Sequence, residues 1–394
     1  MRARRLARAV LGLGAWLCDP LLRNPLPGAG ARPGPGGVPV LLIVRLDRIG
    51  DFLLGLPAAT RIARSFKQRG WRIVVVANAD FADWVADIPD LADEVIGVHR
   101  HRFVAKPLYR ARLLSRIRRL APTVAIQPTW SRELLTGDAI MRASAAPRRV
   151  GWVGDTANAT ALERWLGGRA HTELHRTAEK TELRRNEALL PLIGVPAQRE
   201  AAPAVPAAPL EGLGLPPRYA VLAPGARSEL RRWPPDRVAA IATLLLEGFG
   251  IAPVLCGGPA ERAVADAVLR HATVPVLDLV GRDLRLLSAV IGGARLVVAN
   301  DSAAIHFAAL LGVPSVCVAG GGFPTERFLG YADSALFTPR QPLVAVRPMP
   351  CFGCQWECRF RPGPAEPAPC VDAIPVQAVA AAVASLCADD AAAR

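Results

Sequence analysis

Asp51 lies in a motif that suits general-base chemistry. It falls within VRLDRIGDFLLGLP, where the apolar run 40–46 is followed by Gly50, which permits a tight turn, and by a helical segment that Asp51 opens. A carboxylate held at the end of a strand can accept a proton from a substrate hydroxyl. A carboxylate at the start of a helix can equally act as the N-cap of that helix. The spacing leaves both interpretations open.

A group of arginines follows a second predicted strand. The segment APGARSELRRWPPDR carries Arg227, Arg231 and Arg232 just before a predicted helix. Arginine presents planar donor pairs that match phosphate oxygens, and helix N-termini attract anions. We expect Gly225 to let the backbone approach a ligand. A solvated basic loop is the alternative, and the absence of a following Gly-Lys-Ser/Thr excludes a P-loop.

Two further predicted strands end in polar residues. In LCGGPAER, Glu261 either caps a helix or accepts hydrogen bonds from sugar or ribose hydroxyls. In LVVANDSAAIHFAALLGVPSVCV, Asp301 and Ser302 precede a helix that carries His306 one turn beyond Ser302. Capping accounts for one of the first two residues, and the N-terminal amides of the helix suit a diphosphate. His306 is either a core histidine or a ligand contact.

The C-terminal part of the chain carries four cysteines in the spacing C-x2-C-x3-C-x11-C, namely Cys351, Cys354, Cys358 and Cys370. Four thiolates at such a spacing suit a tetrahedral structural zinc, which leaves no open position for chemistry. Free thiols are the alternative. The remaining cysteines are scattered, which is typical of a reduced, intracellular protein.

The elements that position these residues alternate between strand and helix. The first predicted strands cover residues 40–46, 71–77, 94–98, 123–127 and 148–152, with helices near 57–67, 107–120 and 131–143. The alternation restarts with strands 219–223, 252–256, 276–279, 295–299 and 315–319 and helices 235–248, 260–271, 283–292 and 303–311. This pattern predicts an α/β protein with two doubly wound parallel sheets, whose ligands bind at the carboxyl ends of the strands.

Composition shifts divide the chain into five predicted segments: a basic amphipathic extension with a Pro/Gly linker (1–38), a first domain (39–200), a Pro/Ala-rich linker (201–217), a second domain (218–345), and a Cys-cluster segment with a C-terminal helix (346–394). The extension carries a narrow apolar stripe on a basic helix, which either attaches to a membrane surface or packs onto the domain. It resembles an export signal, but no small-x-small cleavage site follows it. No apolar segment is long enough to span a bilayer.

A strongly basic balance favours anionic partners. The chain has 48 Lys and Arg against 34 Asp and Glu, a net charge of +14. Residues 100–119 contain eight of these basic side chains and no acid, and we expect Arg110, Arg112 and Arg116 to point outward. This face either is merely solvated or holds an anionic glycolipid or the bilayer surface. Nucleic acid is disfavoured, because aromatic residues are not interleaved with the basic ones.

Taken together, the four strand-end motifs resemble glycosyltransferase family 9, which includes the ADP-heptose:lipopolysaccharide heptosyltransferases. The Gly-Asp turn, the Pro-Gly…Arg-Trp-Pro loop, the Gly-Gly-Pro-x-Glu turn and the Asn-Asp-Ser-x-x-x-His helix occur in the family's order over roughly residues 40–345. The resemblance implies a GT-B fold, in which two Rossmann-like domains face a central cleft. It also implies an inverting reaction that needs no metal or other cofactor for catalysis.

The same resemblance implies a role for each matching residue. Asp51 matches the general base, Arg231 the group that contacts the donor diphosphate, and Glu261 the acid that binds donor hydroxyls. Asp301 and Ser302 match the Asp-Ser/Thr pair of the donor site, and His306 the following histidine. The chain departs from the family in Ala303-Ala304, where Gly-Pro is usual, and in GGFPTERF after Gly320.

The resemblance further implies the partners and the location. The first domain is expected to bind an anionic lipid-linked saccharide acceptor, and the second a nucleotide-diphosphate sugar, ADP-heptose. The enzyme is expected in the cytoplasm, peripheral on the inner membrane face. Two alternatives stay open: a non-catalytic, membrane-associated glycolipid-binding protein of the same fold, and a nucleotide-dependent oxidoreductase or epimerase. Against the latter, no G-x-G-x-x-G follows the first strand of either domain.

Overall fold

A computed structural model describes residues 37–332 and 334–392, with the side chains of 389–392 left aside. Residues 1–36, and with them most of the predicted N-terminal extension, lie outside the described residues. The described residues form two compact units, divided between Gln198 and Arg199. Among the described residues, no helix is long and apolar enough to cross a bilayer.

The first unit is built on a six-stranded parallel sheet. Its strands are β1 (Val40–Arg45), β2 (Arg72–Asn78), β3 (Glu94–Val98), β4 (Val124–Gln127), β5 (Arg148–Trp152) and β6 (Glu173–His175), in the spatial order β3-β2-β1-β4-β5-β6. Its helices are α1 (Ile49–Lys67), α2 (Ala82–Ala86), α3 (Arg100–Ala105), α4 (Pro107–Arg119), α5 (Ala139–Ser144), α6 (Ala161–Gly168) and α7 (Glu182–Glu187). A π-helical turn, Leu134–Asp138, precedes α5, and a 3-10 turn, Pro191–Ile193, follows α7.

The second unit repeats this arrangement. Its strands are β7 (Tyr219–Ala223), β8 (Ala252–Leu255), β9 (Leu277–Asp278), β10 (Leu296–Asn300), β11 (Ser315–Ala319) and β12 (Leu343–Val346), in the spatial order β12-β11-β10-β7-β8-β9. Its helices are α8 (Pro235–Thr243), α9 (Arg262–His271), α10 (Leu284–Gly292), α11 (Ala303–Leu311), α12 (Glu326–Leu329), α13 (Pro369–Asp372) and α14 (Val376–Ala392). Turns of 3-10 or π type cover Glu229–Arg231, Leu244–Gly248 and Pro259–Glu261.

The strands are apolar because helices cover both faces of each sheet. Every residue of β1, β7, β10 and β11 is buried. Strands buried on both faces lack the in-out alternation of a half-exposed sheet, which is why they read as continuous Val, Ile, Leu and Ala runs. Parallel register places Leu41 beside Val124 in the first unit and Leu296 beside Ala220 in the second.

The core of the second unit includes the C-terminal segment. Val371 on α13, Ile374 just after it, and Val379 and Val383 on α14 are buried in the same apolar cluster as the strands. The fully buried Trp233 donates its indole N–H to the Ile374 carbonyl at 2.9 Å. The residues after β12 therefore belong to the domain that precedes them.

Each sheet has one point at which the chain reverses the direction in which strands are added. It lies between β1 and β4 in the first unit and between β7 and β10 in the second. In open α/β sheets, ligands bind beyond the carboxyl ends of the strands at this switch point. The motifs around Asp51, Arg231 and Asp301 follow β1, β7 and β10, so all three belong to the two switch points.

The predicted α/β class with two doubly wound parallel sheets is confirmed. Helix α1 begins at Ile49, well before the predicted helix near 57–67, and contains Pro57 in its interior. The predictions missed β12 and the short elements β6, α2, α6 and α7, which carry little periodic apolar sequence. Two predicted helices, 131–143 and 235–248, contain π-helical turns.

Candidate active site

Asn300 joins three segments at the switch point of the second unit. This buried side chain donates from Nδ2 to the Pro224 carbonyl at 2.6 Å, just after β7. Its Oδ1 accepts a hydrogen bond from the Trp233 backbone N–H at 3.1 Å. The end of β10 thereby fixes both ends of the arginine-rich loop that runs between Pro224 and Trp233.

Arg231 of this loop meets Asp301 across the switch point. The Arg231 guanidinium donates to the Asp301 carboxylate and, at 2.9 Å, to the Asp301 carbonyl oxygen. The two side chains are only 20% and 17% exposed, so water screens the pair incompletely. The ring of Trp356 lies 5.1 Å from the same guanidinium. Of the other arginines predicted in the loop, Arg227 is exposed.

The N-terminus of α11 adds backbone donors at the same place. Ser302 is the N-cap residue, but its hydroxyl makes no capping hydrogen bond to the described chain. The first amides of a helix have no partner within the helix and carry the positive end of its dipole. An anion bound here would meet these amides beside the Arg231 guanidinium.

Glu261 lies under the same loop. Its carboxylate accepts a hydrogen bond from the Gly258 N–H at 2.7 Å, and burial raises its pKa. A Cβ atom added to Gly225 would overlap Oε1 of Glu261, and one added to Gly257 would overlap Oε2. The absence of a side chain at Gly225 thus makes room for the Glu261 carboxylate.

His306 is a core residue of α11. It is buried, and its Nδ1 pairs with the Tyr331 hydroxyl. Burial is the main cause that lowers the pKa of His306 to about 4. The ring is therefore neutral at physiological pH, which supports the interpretation of His306 as a core histidine.

Asp51 is the third residue of α1 in the first unit. Arg48 occupies the N-cap position and makes no side-chain capping bond with the described residues, so Asp51 is not the N-cap. Its carboxyl group is partly buried, and its backbone carbonyl accepts a hydrogen bond from Arg45 at 2.8 Å. A carboxylate in the first turn of a helix is favourably placed relative to the helix dipole.

The residues around Asp51 form a charge-paired network. The buried Arg45 pairs with Asp47 at 3.0 Å and donates to Oδ1 of Asn186 on α7. Thr129, after β4, donates to the Asp47 carboxylate at 3.0 Å. The polar groups at this switch point thus bind one another.

Two more charge-paired groups lie near this network. Arg100 donates to both oxygens of Glu133, at 2.8 and 2.7 Å, and to the Leu46 carbonyl at 2.8 Å. Arg132 pairs with Asp138 at 2.8 Å, and each side chain is only 2% exposed. Burial raises the pKa of Asp138 to about 6, although Arg132 opposes the shift.

A buried histidine completes this region. His171 pairs its Nε2 with Oε1 of Gln127 at 3.0 Å, at the end of β4, and its Nδ1 with the Gly167 carbonyl at 3.2 Å. Burial lowers its pKa to about 3. Both units therefore keep a neutral histidine beneath the switch point.

The predicted outward arginines of α4 have different surroundings. Arg110 is buried at 4% exposure, lies over the Phe103 ring and donates to the Leu135 carbonyl at 2.7 Å. The prediction that Arg110 faces the acceptor or membrane is therefore wrong, because it lies on the inner side of the helix. Arg112 and Arg116 are exposed, and Arg116 pairs with Glu94 at 2.7 Å.

The four clustered cysteines are free thiols in the structure. Together with Phe352 and Trp356 they line one cavity: Cys351, Cys354, Cys358 and Cys370. Burial is the main cause that raises the pKa of Cys370. Within the described ranges, no group of three or more His, Cys, Asp or Glu side chains is arranged to hold a metal ion.

Sequence comparison decides the family. The model of glycosyltransferase family 9 (heptosyltransferase) matches residues 130–335, which is more than half of the chain. This chain belongs to glycosyltransferase family 9. The resemblance inferred from the four motifs is thus confirmed, and so is the predicted enzyme class, a glycosyltransferase. No curated protein sequence matches the chain.

Several solved structures share the fold of this family 9 chain. A glycosyl transferase family 9 protein from Veillonella parvula is 16% identical with a TM-score of 0.68, covering 89% of this chain and 98% of its own. E. coli heptosyltransferase WaaC, solved with ADP, is 20% identical with a TM-score of 0.61, covering 88% and 99%.

The iron-containing dodecameric glycosyltransferase TibC of E. coli is 15% identical to the chain, with a TM-score of 0.52 and coverage of 88% and 78%. Identities this low establish only the fold of the chain. The predicted GT-B class is confirmed in its two Rossmann-like units.

Sequence reasoning found most residues of this glycosyltransferase that meet at the second switch point. Asp301 and Arg231 are joined directly, and Ser302 and Glu261 lie on the adjoining segments. It missed Asn300, although the Asn-Asp-Ser motif contains it, and Trp356, which is remote in sequence. It also missed the paired groups around Asp51, for which no local motif gives a signal.

Proposed function

We propose that this family 9 enzyme is an inverting glycosyltransferase that moves heptose from ADP-heptose to a lipopolysaccharide core or related anionic glycolipid. The Arg231 guanidinium, held by Asp301 beside the N-terminus of α11, is the observation that carries the proposal. A fixed cation next to free helix amides suits the diphosphate of a nucleotide sugar. The fold shared with WaaC, solved with ADP, supports adenine as the base.

The second unit stabilises the departing diphosphate. As the bond between the anomeric carbon and the phosphate oxygen breaks, negative charge grows on that oxygen. In this proposal Arg231 and the amides of Ala303 and Ala304 donate hydrogen bonds to this oxygen, and because Asp301 and α11 hold these groups in place, little reorganisation is needed. These groups take the place of a catalytic metal ion. Glu261 and Ser302 bind hydroxyl groups of the donor.

The first unit activates the acceptor. Asp51 accepts the proton of an acceptor hydroxyl while that oxygen forms a bond to the anomeric carbon from the face opposite the diphosphate. One C–O bond forms as another breaks, and the proton ends on Asp51, so the anomeric configuration inverts. The exposed Arg112 and Arg116 on α4 attract the anionic acceptor and the inner face of the cytoplasmic membrane, where the enzyme is peripheral.

The test is the Asp51→Ala variant, assayed for heptose transfer from ADP-heptose to a truncated lipopolysaccharide core. We expect kcat to fall roughly 10²- to 10⁴-fold, the usual contribution of a general base, while ADP affinity stays unchanged. Asp80→Ala is the control, because Asp80 is an exposed carboxylate that follows the neighbouring strand β2. Near-normal transfer by the Asp51→Ala enzyme would refute the assignment.

We also propose that the four clustered cysteines bind a structural metal ion. Their number and chemistry fit zinc or iron, both of which accept four thiolates in a tetrahedron. Although the thiols line one cavity, their arrangement in the structure is not closed around an ion. The description of TibC as iron-containing supports a metal in this fold. The ion would hold this segment in place and take no part in sugar transfer.

Elemental analysis of the purified protein tests this proposal. We expect about one equivalent of zinc or iron per chain, lost in Cys354→Ser together with a lower thermal midpoint. Cys387→Ser is the control, because Cys387 is a partly buried thiol on α14 outside the cluster. Metal-free wild-type protein purified under reducing conditions would refute the site.

A further inference from the structure

The cysteine-rich segment packs directly on the loop that follows β11. Gly353 donates its N–H to the Gly321 carbonyl at 2.8 Å, and Gln355 donates its N–H to the Gly322 carbonyl at 2.6 Å. The Gly321 N–H in turn points at the sulfur of Cys370, at 3.4 Å. Two backbone hydrogen bonds and one contact from a backbone N–H to a thiol sulfur thus join this loop to residues about thirty to fifty positions later in the chain.

Two aromatic side chains of this segment explain the three consecutive glycines of the loop. A Cβ atom at Gly320 would lie 2.6 Å from Cγ2 of Val371 and 2.7 Å from the Trp356 ring, and one at Gly322 would overlap that ring. A Cβ atom at Gly321 would overlap the Phe352 ring. The glycines lie where aromatic rings press on the backbone, so no larger residue fits without displacing a ring.

Trp356 reaches past these glycines to Arg231. Its ring lies 5.1 Å from the guanidinium, which Asp301 holds by hydrogen bonds. An arginine within about 6 Å of a tryptophan ring is attracted to the face of that ring. Arg231 is therefore held both by a carboxylate and by an indole, although neither is close to it in sequence.

The backbone around Trp356 shows that its placement is imposed by the surroundings. Gln355 and Trp356 have φ angles of 54° and 65°, and both lie in the left-handed region that residues with a Cβ rarely occupy. Two adjacent residues in this region persist only where other contacts hold them. The bonds to the glycine loop and the Arg231 contact are the contacts that do so here.

We infer that Trp356 is a positioning residue for the donor site, and that it acts by fixing Arg231 for the diphosphate. The inference rests on the proposed function, in which Arg231 binds that diphosphate. Without the indole, Asp301 still holds the guanidinium, but the side chain gains freedom that ADP binding must remove. The cysteine-rich segment thereby becomes one wall of the donor site.

The test compares ADP affinity in two Trp→Leu variants by titration calorimetry. Trp356→Leu is expected to raise the Kd for ADP about 5- to 20-fold, within the range of a partly desolvated cation–π contact. Trp165→Leu is the matched control, because Arg169 lies 3.8 Å from the Trp165 ring on α6 of the other unit. Its Kd should equal that of the wild type. Trp356→Phe keeps an aromatic face, and its Kd should lie between the other two.

A double-mutant cycle with Arg231→Ala separates the inference from the proposed function. We expect Arg231→Ala to weaken ADP binding and Trp356→Leu to add no further loss in that background. A wild-type Kd in Trp356→Leu, or an equal loss with and without Arg231, overturns the inference but leaves the proposed function standing. A wild-type Kd in Arg231→Ala overturns the proposed donor site itself. If Trp356→Leu does not fold, the cycle is run with Trp356→Phe, and additive losses overturn the inference.

Discussion

The two units of this glycosyltransferase have one topology and two different switch points. Both sheets follow the same strand permutation, and each reverses between its first and fourth strands. In the first unit the charges around that point pair with one another, as in Arg45 with Asp47 and Arg100 with Glu133. In the second, Arg231 pairs with Asp301 next to a helix N-terminus that Ser302 leaves uncapped within the described chain.

This difference fits the two halves of the proposed transfer reaction. In that proposal, the neutral hydroxyl and the base Asp51 need an ordered site with little net charge, because excess cations would lower the basicity of the carboxylate. A diphosphate needs the opposite, a site with surplus donors and positive charge. Under this proposal, the shared topology places each site at a switch point, and the groups around that point, the helix N-terminus beside Arg231 among them, set what each site binds.

The largest expected effect comes from comparing two variants, each of which removes the arginine of one ion pair, one pair in each unit. Arg132→Met removes one member of the buried pair with Asp138, and we expect a loss of about 3 kcal/mol of unfolding free energy. The loss lies at the low end for such pairs, because Asp138 has a pKa near 6 and can take up a proton. Arg231→Met should leave stability within about 1 kcal/mol, since its pair is partly exposed, but raise the Kd for ADP roughly 10- to 100-fold.

Calorimetric unfolding and ADP titration on both variants measure this contrast. Unchanged ADP affinity in Arg132→Met is the internal control. The contrast breaks down if Arg132→Met is as stable as the wild type, or if Arg231→Met is the less stable of the two.

Two glycines offer a second contrast. A Cβ atom at Gly55 on α1 would overlap the Arg45 guanidinium, just as one at Gly225 would overlap Glu261. We expect Gly55→Ala to cost about 1–3 kcal/mol of unfolding free energy, the usual penalty of overpacking, without changing ADP affinity. Gly225→Ala should instead weaken ADP binding, because it displaces the loop that carries Arg231.

Gly258→Ala is the control for both glycine variants, since its Cβ would meet open space beside Glu261. Thermal midpoints and ADP titration distinguish the outcomes. Wild-type ADP affinity in Gly225→Ala would show that Glu261 moves without disturbing the donor loop.

The two buried histidines, one in each unit, are expected to make the unfolding free energy depend on pH. Burial lowers the pKa of His306 to about 4 and of His171 to about 3, so each contributes stability above pH 6.5 that is lost as pH falls. At pH 5, each histidine should lower the unfolding free energy by about 2 kcal/mol relative to pH 8, because the unfolded chain takes up the proton and the folded chain does not. His306→Gln and His171→Gln should each reduce the drop in unfolding free energy between pH 8 and pH 5.

Urea unfolding at pH 5 and pH 8 checks this expectation, and His271→Gln, an exposed position on α9, serves as control. Below pH 4, the stability lost through His306 levels off, whereas the stability lost through His171 continues to increase. A pH dependence in the two variants as steep as in the wild type would contradict the expectation.

The smallest expected effect concerns membrane attachment. Arg112 on α4 and Arg270 on α9 are both exposed helix arginines, one in each unit. If the first unit faces the membrane, Arg112→Ala should weaken binding to phosphatidylglycerol vesicles by about 1 kcal/mol, while Arg270→Ala should not. Co-sedimentation with vesicles measures both, and equal losses would remove α4 from the membrane-facing surface.

The sequence predicted what depends on local pattern. Buried strands such as β10 and β11 were placed to within one residue, because continuous apolar runs between turns have few alternative structures. The residues directly after these strands, Asp301 among them, then follow from the rule that ligands bind at strand ends.

What the sequence did not predict depends on packing between distant segments. Trp356 and Arg231 are far apart in the chain, and no spacing rule connects them. Arg110 was predicted to point outward because the leucines and Ile117 of this helix form an inward apolar face, yet Arg110 is buried against the Leu135 carbonyl and the Phe103 ring. Gly225 shows the same limit: its small size makes room for Glu261, which only the folded chain brings there.

The anchoring of Trp233 by Ile374 has a practical consequence for anyone who wishes to exchange sugar-recognition modules between enzymes. A fragment cut after β12 would leave the indole N–H without its acceptor and would strip Val371, Val379 and Val383 from the interior. A transplantable module therefore has to extend through α14. The C-terminal segment through α14 and the arginine-rich loop have to be transferred together. A chimera that separates them should be recovered as insoluble protein.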